Sequence, residues 1–259
     1  MITYRRMPEI REWDGNSYDR ISAPQEALGR EVLARLDLTG DETVLDAGCG
    51  SGRVTEALLE RLPRGRVIAV DASASMVQAA RDRLARADGR VEVRLLDLLE
   101  LELEQPVDAI LSTATFHWIS DHDGLFRRLR AAMRPGGRLV AQCGGEGNID
   151  VLRARAMAIL AREPYREHFG DWQAPWNYAG ARETRERVLD AGFASAECWL
   201  APAPQQPEHP REFLQTIVLG PHVQHLPEHL REQFMDDVLA ELGEPVTVDY
   251  VRLNIDATA

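Results

Sequence analysis

The sequence predicts an α/β protein: a mostly parallel sheet with helices on both faces. Three observations carry this. Short apolar runs alternate with amphipathic segments up to about residue 145, the pattern of successive βα units. Three of those runs close on an acid, at Asp46, Asp71 and Asp97. The first leads directly into Gly48-Cys49-Gly50-Ser51-Gly52, where glycines let the chain turn sharply from a buried strand into a helix.

Residues 1–23 are polar and carry Trp13 and Tyr18. Pro24 suits the first position of a helix, and Leu28, Val32, Leu33 and Leu36 give that helix one apolar face. Val44-Leu45-Asp46, Arg66 to Asp71, Val91 to Leu98 and Val107 to Ser112 read as the first four strands. A helix from Ser120 or Asp121 runs to Met133-Arg134-Pro135-Gly136-Gly137, where Pro-Gly-Gly stops it and turns the chain into a fifth strand, Arg138 to Gln142. After Gly144-Gly145 the pattern changes. Residues 149–168 read as an Arg- and Ala-rich helix, followed by an aromatic loop with Trp172, Trp176 and Tyr178. A helix at 181–191, a short strand near Ala196–Leu200, helices at 210–219 and 227–242, and a last strand Val246–Ile255 complete the chain. The expected organisation is one domain over 1–259. It has an N-terminal arm and helix (1–40), a cofactor-binding core (41–145), and helical insertions at 146–180 and 202–245 that form a lid over the substrate.

A glycine turn running into a helix start offers open backbone and unpaired N–H groups, which make a nucleotide-type cofactor site. Dinucleotide folds use G-x-G-x-x-G. Here Gly48, Gly50 and Gly52 alternate, and Asp46 stands two residues before the first. A strand-end acid suits a cation better than a pyrophosphate. S-adenosylmethionine (SAM) carries a sulfonium and an ammonium and no phosphate, so the motif suits SAM better than NAD without excluding either. Asp71 follows the loop by about twenty residues, the spacing at which an acid reaches ribose hydroxyls, and both cofactors carry that ribose. Each acid alone also fits an ordinary helix N-cap.

The D-x-G-x-G-x-G form of Asp46–Gly52 resembles motif I of the class I SAM-dependent methyltransferases. The acid at Asp97 and the Arg-Pro-Gly-Gly unit before the fifth strand add to the likeness, which covers about residues 40–145. It implies a Rossmann-like sheet of seven strands, the last antiparallel, with SAM as cofactor and S-adenosylhomocysteine as product. It further implies cofactor contacts from Asp46, Gly48, Gly50, Asp71, Ala72, Met76, Asp97, Leu98 and Thr113, with Asp97 on the adenine amino group and the Leu98 N–H at the ring. Thr113-Ala114-Thr115-Phe116-His117-Trp118 looks like the small-molecule O-methyltransferases grouped around trans-aconitate methyltransferase. That closer likeness assigns no acceptor.

Methyl transfer is an in-line displacement, so the protein chiefly holds and shields the acceptor. A carboxylate needs no base, whereas a hydroxyl or carbon acid does. His117, just past the fourth strand, is the candidate base. Trp13 and Tyr18 are candidates to fold over the site, and Trp118, Trp172 and Trp176 to line a substrate pocket. Arg153, Arg155, Arg162 and Arg166 read as a solvated helix face. His222, His225 and His229 read as a surface loop and helix start rather than a metal site.

Composition narrows the classes. Net charge is −12 with no basic patch, which disfavours a nucleic-acid substrate. All 30 basic residues are Arg, so Schiff-base and P-loop lysine chemistry are excluded. Three scattered cysteines, Cys49, Cys143 and Cys198, suggest neither a disulfide framework nor a zinc site. No signal peptide and no apolar run of ~20 residues is seen, so a cytoplasmic enzyme with a small-molecule substrate is expected. An NAD-dependent oxidoreductase and a catalytically silent SAM-binding protein stand as the alternatives.

Overall fold

The alternating apolar runs form a single seven-stranded sheet in the computed structural model, which describes residues 23–87 and 89–259. Trp13 and Tyr18 lie outside those residues. The strands are β1 (Thr43–Ala47), β2 (Arg66–Asp71), β3 (Val91–Leu95), β4 (Val107–Thr113), β5 (Met133–Gly144), β6 (Ser195–Pro202) and β7 (Val251–Thr258), in the order β3-β2-β1-β4-β5-β7-β6. β1 to β5 are parallel, and β7 runs antiparallel between β5 and β6.

Both faces of the sheet are covered, which is why its central strands are apolar at nearly every position. Val44, Val67, Ala109, Leu111 and Val140 face α1 (Ala23–Ala34), α2 (Arg53–Glu60) and α3 (Ala74–Leu84). Leu45, Val70, Ile110 and Leu139 face α4 (His122–Ala131) and α6 (Ala181–Asp190). Parallel strands closed by helices place the loops that follow β1, β2, β3 and β4 along one edge, where such sheets bind ligands.

A second apolar core lies beyond that edge. It is built from α5 (Asp150–Leu160), α7 (Pro210–Phe213), α8 (Gly220–His225) and α9 (Glu228–Leu242), together with Tyr165, Phe169, Val246, Val248 and Tyr250. The Tyr165 hydroxyl reaches across it to Asp237 Oδ2 at 2.7 Å.

Four boundaries differ from the sequence reading. The helix expected over 149–168 stops at Leu160, because Pro164 disfavours helical backbone just before it, and a short 3₁₀ turn follows at Arg166–His168. The helix expected over 210–219 divides into α7, a π turn at Leu214–Val218 and then α8, which opens with Pro221 near its start. The last strand is Val251–Thr258 rather than Val246–Ile255. The alternating Val246, Val248 and Tyr250 pack into the second core, so a strand-like period runs through two different environments. Finally, α4 ends at Ala131 and Arg134–Gly137 form a bulge inside β5, since Val107 pairs with Met133 and Ala109 with Arg138.

Candidate active site

The glycine loop is tied to β2 at its first turn. Gly48 and Cys49 both donate their N–H groups to the Val70 carbonyl, at 2.8 and 2.9 Å. Gly48 has φ 86°, and a Cβ there would sit 2.1 Å from Thr115 Oγ1. Only glycine fits, and Thr115 uses the closeness by donating toward the Gly48 carbonyl at 3.2 Å and the Thr113 carbonyl at 3.0 Å. At Gly50 (φ 53°) a Cβ would meet nothing within 4 Å, so the loop faces open space there. Cys49 packs in the core, and burial pushes its thiol well above the ordinary range.

The strand-end acids divide by environment. Asp46 is fully buried; Thr55 Oγ1 donates to its Oδ2 at 2.6 Å, and its Oδ1 has no hydrogen-bond partner among the described residues. Burial pushes this carboxyl up to about 6 against the pull of the Thr55 bond, and the Asp71 charge adds to the rise. Asp71 is half-buried and braces the loops on either side: Oδ2 accepts the Gly50 N–H and Oδ1 the Ser73 N–H, both at 2.9 Å. Both oxygens of its carboxylate are thereby engaged by backbone N–H groups. Asp97 caps the 3₁₀ turn Leu98–Glu100, accepting the Leu99 N–H at 2.9 Å. Leu98 and Met76 are buried, Ala72 and Thr113 half-buried. The Met76 N–H is capped by Ser73 Oγ. The strand order sets Asp97, Asp71, the glycine loop and Thr113 in a row along the carboxyl edge.

His117 follows that row on a 3₁₀ turn, Phe116–Trp118. The preceding Ala114 has φ 56°, a left-handed conformation that a non-glycine residue adopts at a cost. Burial, then the Arg252 and His122 charges, hold the His117 ring well below its ordinary pKa. The Gly144 N–H donates to Nδ1 at 3.3 Å. A neutral imidazole that accepts at Nδ1 carries its proton at Nε2. In that tautomer Nε2 is a donor rather than an acceptor.

The aromatic candidates gather around this ring. Tyr178 stacks on His117 (5.7 Å between centroids) and on Trp176 (5.7 Å), and Trp118 lies 6.0 Å from Trp176. Trp172 joins through His222, at 4.7 Å from Trp172 and 5.6 Å from Trp176. His222 departs from the surface position expected of it. It is fully buried, both ring nitrogens lack hydrogen-bond partners among the described residues, and burial, then the Arg153 charge, lowers its pKa to about 4. Pro221 turns this segment inward at the start of α8, which the polar spacing of the histidines does not reveal. His225 and His229 are exposed. Arg155 and Arg166 bond to the Glu241 carbonyl and Glu163 on an exposed face, in keeping with the sequence reading.

Two further residues escaped the sequence reading. Thr115 holds the glycine loop from the loop that follows β4, a contact across 67 positions that no local motif announces. Arg252 is buried on β7 beside His117. Its signal was present: Arg252, Asn254 and Asp256 put polar side chains at every second position of a strand covered on both faces.

These features fit a sulfonium nucleoside. A buried carboxylate oxygen without a donor attracts a cation and repels a pyrophosphate, and the open glycine loop lets backbone approach a ligand. Among the described residues no group of three or more His, Cys, Asp or Glu is placed to hold a metal, and no helix is long and apolar enough to cross a membrane.

A methyltransferase-domain family model matches residues 44–137. A trans-aconitate 2-methyltransferase of Paracidovorax citrulli is 31% identical over 87% of this chain and 87% of its own. One of Yersinia pseudotuberculosis is 29% identical over 94% and 95%. Among solved structures, phosphoethanolamine N-methyltransferase 2 of Haemonchus contortus with bound SAM superposes with TM-score 0.62 at 19% identity, over 95% of this chain. This chain spans 56% of that longer one. Geranyl diphosphate C-methyltransferase of Streptomyces coelicolor gives 0.56 at 19%, over 98% and 86%. Fold, site and relatives define a class I SAM-dependent methyltransferase. The chain belongs to that family and uses SAM, which displaces the NAD-dependent alternative.

Proposed function

We propose that this methyltransferase builds a methyl ester on a carboxylate of a small organic acid. The observation that carries the reading is the Gly144 N–H bonded to His117 Nδ1. With its proton on Nε2 and its pKa held low, His117 is no base, so the acceptor arrives already ionised. A carboxylate does so at neutral pH and an alcohol does not. The name of the relatives, trans-aconitate 2-methyltransferase, supports the same chemistry.

When bound, SAM supplies a methyl carbon made electrophilic by its sulfonium. Asp46 Oδ1 would accept a hydrogen bond from the cofactor's ammonium, and the Asp71 carboxylate would accept from its ribose hydroxyls. Asp97, the Leu98 N–H, Ala72 and Met76 would hold the adenine. Gly48 and Gly50 let the loop close on the cofactor, and Thr113 bounds the acceptor side. His117 Nε2–H steadies an acceptor oxygen. Trp118, Trp172 and Trp176 wall the pocket, and the insertions at 146–180 and 202–245 roof it against water. A carboxylate held there would need no proton removed before it took the methyl group, so these residues would have only to position it and exclude water.

Methyl-labelled SAM offered with trans-aconitate and other small organic acids tests this. A base-labile labelled ester is expected, with a rate flat from about pH 6.5 to 9. A rate climbing in proportion to hydroxide over that range would show that a proton must first be removed, and would refute the reading.

A further inference from the structure

Arg252 stands on β7 opposite Gly144, the last residue of β5, and so at the carboxyl edge of the parallel strands. It is 6% exposed. Its Nε donates to Gln142 Oε1 at 3.5 Å. Gln142 Nε2 donates in turn to Asn254 Oδ1 at 2.9 Å, and the same oxygen accepts from Arg35, whose Nη2 lies 3.2 Å from Asp256 Oδ1. This buried relay fixes one edge of the Arg252 guanidinium, and its face lies 5.2 Å from the Tyr250 ring centre. Nη1 and Nη2 make no hydrogen bond and meet no carboxylate among the described residues. A buried cation without a counter-charge is costly. One whose Nε is already tethered, with two nitrogens left over, is preset for a planar anion.

We propose that Arg252 binds a carboxylate of the acceptor other than the one that is methylated, and so selects acids with at least two carboxylates. The proposal rests on the carboxylate reading above. The spectator assignment follows from charge. Methylation neutralises the reacting carboxylate, so a cation holding that group would stabilise the substrate more than the transition state. A cation on a second carboxylate binds both states alike and orients the first, and His117 lies on the same edge to meet it. Lysine would supply the charge but not the two-pronged geometry.

The test compares the wild type with Arg252→Met and Arg252→Lys. Methylation of trans-aconitate is measured against crotonate, which keeps one conjugated carboxylate and lacks the others. Binding of trans-aconitate to protein loaded with S-adenosylhomocysteine is measured alongside. In Arg252→Met, KM and Kd for trans-aconitate should rise by at least about 30-fold, as when one partner of a buried charge pair is removed. Crotonate, which lacks the second carboxylate, should lose far less than trans-aconitate does, so the preference for trans-aconitate over crotonate should collapse. Arg252→Lys should fall between, at about tenfold. S-adenosylhomocysteine affinity reports folding, and Arg252→Lys, which keeps stem and charge, carries the test where the methionine variant fails to fold. If trans-aconitate is methylated and neither variant changes its KM by more than threefold, the Arg252 site is overturned and the carboxylate reading stands. If trans-aconitate binds through Arg252 but no carboxylate is methylated, the carboxylate reading falls and the site stands. If the wild type neither binds nor methylates any carboxylate, both fall.

Discussion

Asp46→Asn separates what the buried carboxylate does for the fold from what it does for the cofactor. In the wild type, Asp46 is fully buried with one hydrogen bond, from Thr55, and one orphaned oxygen. Burial raises its pKa from 3.8 to about 6, roughly 2 units at 1.36 kcal/mol each, or about 3 kcal/mol. The sign follows from the raised value. The folded state holds this proton more tightly than the unfolded one, so the contribution is favourable below about pH 4 and is lost as pH rises through about 6. At pH 8 the protein therefore carries a buried charge opposed to folding. Asparagine keeps an acceptor for Thr55 and removes that charge. The variant should gain about 2–3 kcal/mol at pH 8, or roughly 5–10 °C in thermal midpoint for a chain of this size, and almost nothing at pH 4. Its affinity for S-adenosylhomocysteine should fall by about 10- to 100-fold, the worth of a charge-assisted hydrogen bond. Scanning calorimetry at the two pH values and titration calorimetry at pH 8 read both effects. A variant no more stable than wild type at pH 8 would refute the buried, ionised carboxylate; unchanged cofactor affinity would refute its place in the cofactor site.

Three further outcomes are expected. Gly48→Ala should cost about 2–4 kcal/mol in chemical denaturation, because a Cβ would sit 2.1 Å from Thr115 Oγ1 at a φ of 86°, and adding Thr115→Ala should recover part of it. Asp71→Ala should weaken S-adenosylhomocysteine binding by about 1–3 kcal/mol, since ribose donors and two backbone N–H groups are left without an acceptor; unchanged titration heats and affinity would sink the ribose assignment. His222 is neutral in the fold, with a pKa lowered to about 4, so the unfolded state binds its proton first on acidification. The stability tied to this residue is whole above about pH 6.5 and is lost as pH falls toward 4, by up to about 3 kcal/mol. His222→Phe should flatten the acid limb of a stability–pH curve over that window, and an unaltered slope would place the titration elsewhere.

The cofactor half of the protein was legible because its information is local. Strand, acid, glycine loop and helix follow one another within a dozen residues from Val44, and each element's backbone demands are written in its own residues. The catalytic half was not. Whether His117 is a base or a donor depends on an N–H from Gly144, 27 residues away. The burial of His222 depends on Trp172 and Trp176, which reach it from another segment. Val246–Tyr250 misled for a related reason: a period of two reports alternating burial, and the second core buries those residues as effectively as a sheet does. Polar residues in a covered strand were the one available sign of Arg252, and that sign needs the sheet order to be read.

The antiparallel β7 has a bearing on how the molecule is assembled. Among the described residues β6 pairs with β7 alone, so it joins the sheet only through β7. The same strand delivers Arg252 to the acceptor side. A chain that has not closed its sheet can present the glycine loop, Asp46 and Asp71 in place and still lack the arginine. Cofactor contacts and the arginine thus sit on opposite halves of the sheet, joined only through β4 and β5.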